Sequence, residues 1–234
     1  MVEPLLSVDR LSSGYGDFQA LFDVSFDLAQ GEVLGLVGAN GAGKTTLFHA
    51  ILGLLPRKDS MVRFQGRSIG STPPDALAAM GIVLVPEGRR LFRSLSVEEN
   101  LKIAADYGRR GSWDISKVYE LFPILAEKRH HPGQSLSGGQ QQMVAIGRAL
   151  VANPALILFD EISLGLAPIV VNDVYAAMPK ILGSGIGAVI VEQDIERARS
   201  VSNALVCLRE GRVALQGPAN ALTKQALVTA YFGD

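Results

Sequence analysis

Four short stretches of the chain are apolar almost without interruption: Val33-Leu34-Gly35-Leu36-Val37, Ile82-Val83-Leu84-Val85, Leu156-Ile157-Leu158-Phe159 and Ala188-Val189-Ile190-Val191. Strands covered on both faces have this character, and the helical patterns between them predict a mainly parallel sheet in an α/β fold. Each run ends in polar or glycine-containing residues, namely Gly38, Pro86-Glu87, Asp160-Glu161 and Glu192-Gln193. Ligands of open parallel sheets bind beyond the carboxyl ends of the strands, so the four ends predict one shared site. Leu5 to Leu11 and Phe22 to Leu28 instead alternate apolar and polar residues, the pattern of an antiparallel β layer with one wet face. From about Ser96 to His131 the pattern is helical, broken at Gly108, Gly111 and Pro123, which predicts a helical insertion. A short amphipathic helix is expected from Pro218 onward. The chain reads as one domain, 1–234, with a core built from 1–95 and 151–234 and a helical subdomain over 96–150.

Composition narrows the classes. The 234 residues carry 22 Lys+Arg against 23 Asp+Glu, a net charge of −1, with 48% hydrophobic and 19% charged residues and a mean hydropathy of +0.24. That length can bury a core without disulfides or metals. No apolar run approaches the roughly 18–20 residues of a membrane span, so the apolar excess is expected in buried strands or a subunit interface. Balanced charge argues against a nucleic-acid binder working through a basic surface. The sole cysteine, Cys207, excludes an internal disulfide framework and fits a reducing compartment. Met1-Val2-Glu3-Pro4 has no basic segment leading into an apolar one, so no secretory signal is expected.

The chemistry starts at Gly38-Ala39-Asn40-Gly41-Ala42-Gly43-Lys44-Thr45, which matches the P-loop pattern between an expected strand and an expected helix beginning at Thr46. Glycines let successive backbone N–H groups point at phosphate oxygens, and the helix start adds a positive dipole end. Lys44 supplies a mobile charge for the β- and γ-phosphates, and Thr45 a hydroxyl for Mg²⁺. Asp160 and Glu161 complement it: Asp160 as a Mg²⁺ ligand through water, Glu161 to orient or deprotonate the attacking water. A second anion nest, Ser137-Gly138-Gly139-Gln140, opens another helix 93 residues after Lys44 and 23 before Asp160. One nucleotide in one chain does not need both nests. A dimer does, if each chain's second nest covers the γ-phosphate held by the other.

With these motifs in order, the sequence resembles the ATP-binding subunits of ABC transporters. Gly38–Thr45 is similar to Walker A, Leu136–Gln140 to the signature motif, Leu156–Asp160 to Walker B and Ser163–Ala167 to the D-loop. The resemblance implies a P-loop NTPase fold with a RecA-like core. It also implies a head-to-tail dimer, with itself or a paralogue, that closes on two ATP and drives two transmembrane permease subunits. Val85–Phe92, Leu95–Leu101, Asp160–Pro168 and Val191–Asp194 narrow the resemblance to the shorter ATP-binding subunit of high-affinity branched-chain amino-acid importers. Such a chain works peripherally at the cytoplasmic face of the membrane, with the external substrate-binding protein an indirect partner. Importers of urea and short-chain amides are close relatives.

Three positions matter within that resemblance. Glu87 stands where the family usually has glutamine, touching Mg²⁺ and the attacking water; a carboxylate can ligate Mg²⁺ but adds negative charge. Gln193 stands where a switch histidine usually contacts the γ-phosphate; its amide can donate but cannot carry a proton. Tyr15, in Ser13-Gly14-Tyr15-Gly16, takes the place of an aromatic that stacks on adenine. No functional weight falls on Ile162. His130-His131 reads as a solvated loop, Cys207 as a small core residue, and Arg89-Arg90 and Arg109-Arg110 as solvated faces. Trp113 reads as a packing residue or a surface anchor. A soluble ABC ATPase acting on DNA or ribosomes would carry a second ATPase unit or long heptad insertions, and neither is present. An unrelated P-loop kinase or GTPase would have no use for Leu136–Gln140.

Overall fold

A computed structural model describes residues 3–233. In chain order the elements are β1 (Leu6–Tyr15), β2 (Phe18–Leu28), β3 (Val33–Val37), α1 (Lys44–Ile51), β4 (Val62–Phe64), β5 (Arg67–Ser68), α2 (Pro74–Met80), β6 (Ile82–Val85), α3 (Val97–Tyr107), α4 (Ile115–Leu121) and α5 (Pro123–Glu127). They continue with α6 (Gly138–Val151), β7 (Leu156–Asp160), α7 (Pro168–Leu182), β8 (Gly187–Val191), α8 (Ile195–Val201), β9 (Ala204–Arg209), β10 (Arg212–Pro218) and α9 (Lys224–Phe232).

The four apolar runs become β3, β6, β7 and β8, neighbours in a six-stranded sheet of order β10-β9-β3-β8-β7-β6. All pairs are parallel except β9–β10. Alternation along each strand sorts its side chains between two cores. Leu34, Leu36, Leu156, Leu158, Val189 and Val191 pack toward α1, α2 and the antiparallel layer. Val33, Val85, Ile157, Phe159, Ala188 and Ile190 pack toward α3–α7. A third cluster joins Val37, Leu205 and the buried Cys207 to α8 and α9.

The antiparallel layer has four strands, in the order β2-β1-β4-β5, so residues 62–68 extend the two-strand layer read from the alternation before Val33. β4 and β5 are three and two residues long, too short to print a period. The C-terminal helix begins at Lys224 rather than at Pro218, which closes β10.

Helix starts follow local chemistry. Ser96 accepts from Glu99 N while the Glu99 carboxylate accepts from Ser96 N, a reciprocal box that opens α3. Asp114, Asp194 and Thr223 cap α4, α8 and α9 in the simpler way. Trp113 is a packing residue, its half-buried ring against the helical core, while Asn153 holds its backbone N–H at 2.8 Å and its carbonyl at 2.9 Å, fastening the α3–α4 loop to the loop before β7. His130 and His131 are exposed, His130 lying 3.9 Å from Glu98.

Candidate functional site

β3 ends at Val37 and α1 begins at Lys44, so residues 38–43 must reverse the chain tightly over the edge of the sheet. Gly38 has φ 153°, and a Cβ there would stand 2.3 Å from the Leu208 carbonyl oxygen. Gly43, at φ 103°, caps α1, and a Cβ would stand 2.8 Å from Leu21 Cδ2. No other residue type fits either place. The Lys44 ammonium, 5% exposed, donates to the Gly38 carbonyl at 2.8 Å and the Ala39 carbonyl at 3.2 Å.

A cavity of about 510 Å³ opens over this turn, lined by Tyr15, Asn40, Gly41, Gly43, Lys44, Thr45, Thr46, Glu87, Glu161 and Gln193, with Phe18, Ala20 and Leu164. The ends of β6, β7 and β8 thus contribute Glu87, Glu161 and Gln193 to the mouth of the P-loop. Ala42 is buried beneath, and Gly38 and Ala39 meet the cavity only through the lysine they hold. A larger groove of about 650 Å³ runs between β1/β2 and β9/β10, but it carries Asp9 and Asp27 and no cationic side chain. It offers nothing to a phosphate.

Glu161 is the hub of the polar contacts. One carboxylate oxygen lies 3.5 Å from Lys44 Nζ and the other accepts from Gln193 Nε2 at 2.7 Å. Its backbone is left-handed, φ 47°, and its N–H donates to the Val191 carbonyl at 3.2 Å. Such backbone in a residue with a side chain is kept only where surrounding contacts impose it. Asp160, just inside it, is 4% exposed. Burial, then the nearby Glu161 and Glu87 carboxylates, raise its pKa to about 6 against the opposing pull of Lys44 and the Thr45 hydroxyl. Its Oδ1 is buried without a hydrogen-bond partner.

An orphaned carboxylate oxygen beside a hydroxyl and a further carboxylate is an all-oxygen donor set, which suits a hard divalent cation. Among the described residues no three His, Cys, Asp or Glu side chains gather closely enough to hold a cation alone. A cation here needs phosphate oxygens to complete its shell, the usual habit of Mg²⁺.

The second nest lies apart from this cavity. Ser137 caps α6, accepting from Gln140 N at 3.3 Å while Gln140 Oε1 accepts from Ser137 N at 3.0 Å. The nest expected to hold open N–H groups therefore already satisfies two of them internally, leaving those of Gly138 and Gly139. The Arg89 guanidinium leans on this turn, 3.5 Å from Gln141 Oε1. Of the expected solvated face, Arg90 is exposed and Arg89 half-buried; both sit in a left-handed run with Gly88 (φ 74°, 65° and 44°), and Arg148 donates to the Arg90 carbonyl at 2.8 Å.

Sequence reasoning missed two residues. Phe18 pairs directly with Tyr15 across the β1–β2 hairpin, and the two aromatics, 69% and 49% exposed, flank the P-loop. Two exposed rings three residues apart around a glycine turn were the available signal. Glu192 was counted among the polar strand ends, but it turns inward, 1% exposed, with a pKa raised chiefly by burial.

Comparison with known proteins agrees with this geometry. A family profile described as "ABC transporter" matches residues 21–163. The chain is 38% identical, over 98% of its length and 100% of the relative's, to the high-affinity branched-chain amino acid transport ATP-binding protein BraG of Pseudomonas aeruginosa. It is 34% identical, over 93% and 94%, to the probable branched-chain amino acid transport ATP-binding protein LivF of Archaeoglobus fulgidus. It is also 33% identical, over 98% and 97%, to the lipopolysaccharide export system ATP-binding protein LptB of Escherichia coli. The crystal structure of the ADP conformation of MJ1267, an ATP-binding cassette of an ABC transporter, superposes with a TM-score of 0.83 at 27% identity over 100% of both chains. The P-loop, the second nest and the whole-length likeness converge: the chain is an ATPase subunit belonging to the ABC transporter family.

Proposed function

We propose that this chain energises an importer of branched-chain, hydrophobic amino acids. The observation that carries the ATPase part is the convergence on one cavity of Lys44, at the start of α1, with Glu87, Glu161 and Gln193 from the ends of β6, β7 and β8. The substrate class rests on the likeness to BraG and LivF. Export of a lipopolysaccharide is the second reading, favoured by the likeness to LptB over almost the whole chain.

In this mechanism Tyr15 stacks on adenine. The N–H groups of residues 38–46, with Lys44, hold the β- and γ-phosphates; Lys44 gives up its carbonyl partners to do so. Thr45, Asp160 and Glu87 would hold Mg²⁺, which would neutralise phosphate charge. Glu161 accepts a proton from the attacking water, and Gln193, already bonded to Glu161, turns its amide toward the γ-phosphate. Ser137, Gly138, Gly139 and Gln140 face the nucleotide of a second ATPase subunit, the same chain or a paralogue, in a head-to-tail dimer. Residues 96–150 act as the helical subdomain of a single ABC ATPase domain, 1–234.

One permease subunit meets the other ATPase of the dimer, and the second docks a coupling helix at a groove of about 390 Å³ between Pro86–Arg90 and the helices at Ala104–Gly108 and Ala145–Ala152. Tyr107, 88% exposed, stands on its rim. No helix among the described residues is long and apolar enough to cross a membrane, so contact with the bilayer runs through those subunits. The chain then sits at the cytoplasmic membrane face and meets an external binding protein only indirectly.

The test is to tag the chain in its native cell, purify it from detergent-solubilised membranes and identify what comes with it. Two hydrophobic subunits and a longer P-loop ATPase, with hydrolysis stimulated by leucine, isoleucine or valine, support the importer. A copurifying lipopolysaccharide-export permease supports the second reading, and recovery from cytosol alone overturns both.

A further inference from the structure

Glu192 and Gln193 leave the end of β8 in opposite directions. Gln193 reaches the cavity and donates to Glu161, while Glu192 turns into the protein and takes no part in the phosphate chemistry. Glu192 Oε2 accepts from Ser163 Oγ at 2.7 Å, and Oε1 accepts from the Tyr175 hydroxyl. Ser163 Oγ also accepts from Arg197 Nη1 at 3.1 Å, and the Arg197 guanidinium lies 5.6 Å from the centre of the Tyr175 ring. Arg197 does not touch the Glu192 carboxylate directly; its salt-bridge partner is Asp194, at 3.6 Å.

A carboxylate at this depth is costly unless hydrogen bonds offset its lost hydration, and an apolar side chain would fill the space more cheaply. What the carboxylate supplies is a cross-link. Ser163 belongs to the turn that leaves Glu161 and Tyr175 to α7, so one side chain ties the end of β8 to both, and Arg197 of α8 joins through Ser163. Two further bonds run beside it between the same two loops: Gln193 to Glu161, and Glu161 N–H to the Val191 carbonyl.

We propose that Glu192 is a positioning residue for ATP hydrolysis, locking the 161–163 turn to the 192–194 turn so that Glu161 and Gln193 face the γ-phosphate at a fixed separation. This rests on the ATPase reading of the cavity. It acts through its neighbours and leaves nucleotide binding to the P-loop.

The experiment compares Glu192→Gln and Glu192→Leu, each alone and combined with Gln193→Ala, in steady-state Mg-ATP hydrolysis and in amide hydrogen exchange of the nucleotide-free protein. Glu192→Leu is expected to lower kcat about tenfold with KM for ATP within about twofold of wild type. Glu192→Gln, whose amide keeps both partners, is expected to retain about half the activity or more. Combined with Gln193→Ala, Glu192→Leu should add clearly less than its tenfold loss alone, because one of the two residues whose separation it fixes is gone. Exchange at 161–164 and 193–195 should quicken in Glu192→Leu and not in Glu192→Gln. Fully additive losses, a Glu192→Gln protein as weak as Glu192→Leu, a rise in KM alone, or unchanged exchange at both turns would each overturn the proposal. If Glu192→Leu does not fold, Ser163→Ala removes one arm of the cross-link and should give the same kinetic and exchange pattern. A wild-type chain that neither binds nor hydrolyses ATP would overturn the ATPase reading instead, and the exchange comparison would still decide whether Glu192 ties the two turns.

Discussion

Glu161 and Gln193 share a hydrogen bond but not a task. Glu161→Gln removes the carboxylate proposed to take the proton, so hydrolysis should fall by at least about 10²-fold with ATP binding retained. Gln193→Ala should cost about tenfold, because the amide orients and does not transfer a proton; single-turnover hydrolysis checks the ranking. Asp160 governs the pH response. Its folded pKa of about 6 lies above its ordinary 3.8, so the nucleotide-free fold favours the protonated acid. That contribution to stability is fully present below pH 3.8, declines as pH rises from about 4 to 6, and is gone above. Asp160→Asn should therefore raise the Tm of the nucleotide-free protein at pH 7 and flatten its change between pH 4 and 6. In the wild type, Mg²⁺-dependent ATP affinity should weaken as pH falls through about 6, since the cation needs the carboxylate. At the base site, Tyr15→Ala should raise the ATP dissociation constant about 5- to 150-fold, the range of one lost stacking contact. The gathering of the P-loop, Asp160 and Glu161 at one sheet edge was legible in the sequence because they stand at the ends of continuously apolar strands. Glu192 was not, because an inward or outward turn at a strand end leaves no periodic trace.

Among the elements, α3 and α6 both open on a reciprocal box, and the two boxes have different consequences. Ser96 and Glu99 serve only the fold, aided by Asn100, which is fully buried and holds the Phe92 N–H and the Phe92, Leu95 and Ser96 carbonyls. Asn100→Ala orphans several of these groups and should destabilise the protein by about 2–4 kcal/mol in chemical denaturation, with a looser 92–96 loop. Ser137 caps a helix that is also proposed to face a partner's nucleotide. Ser137→Ala should cost about 1 kcal/mol of stability, leave the monomer's ATP affinity alone and weaken ATP-driven dimerisation on a sizing column. β3, β6, β7 and β8 announced themselves through continuous apolar runs and β1 and β2 through alternation, whereas β10, seven residues with no buried position, did not. β4 escaped because its strand character comes from pairing with β1, a partner more than 50 residues away, and the two-residue β5 because it pairs only with β4.

For the molecule as a whole, the central place of β3 decides when the site comes into being. β3 carries the P-loop and pairs on one side with β8 and on the other with β9. Both partners lie more than 140 residues further along the chain. A ribosome adding about 5–20 residues per second takes on the order of 7–30 s or longer to supply them. Throughout that interval an apolar strand and its glycine turn are made but lack both neighbours, and Gly38 lacks the Leu208 carbonyl that it packs beneath. The newborn chain therefore has no working nucleotide pocket until β9 has been made. ATP, abundant in the cell, cannot be captured by an unfinished copy, and a nascent fragment ending before β9 would have to be shielded by chaperones rather than rescued by its own ligand.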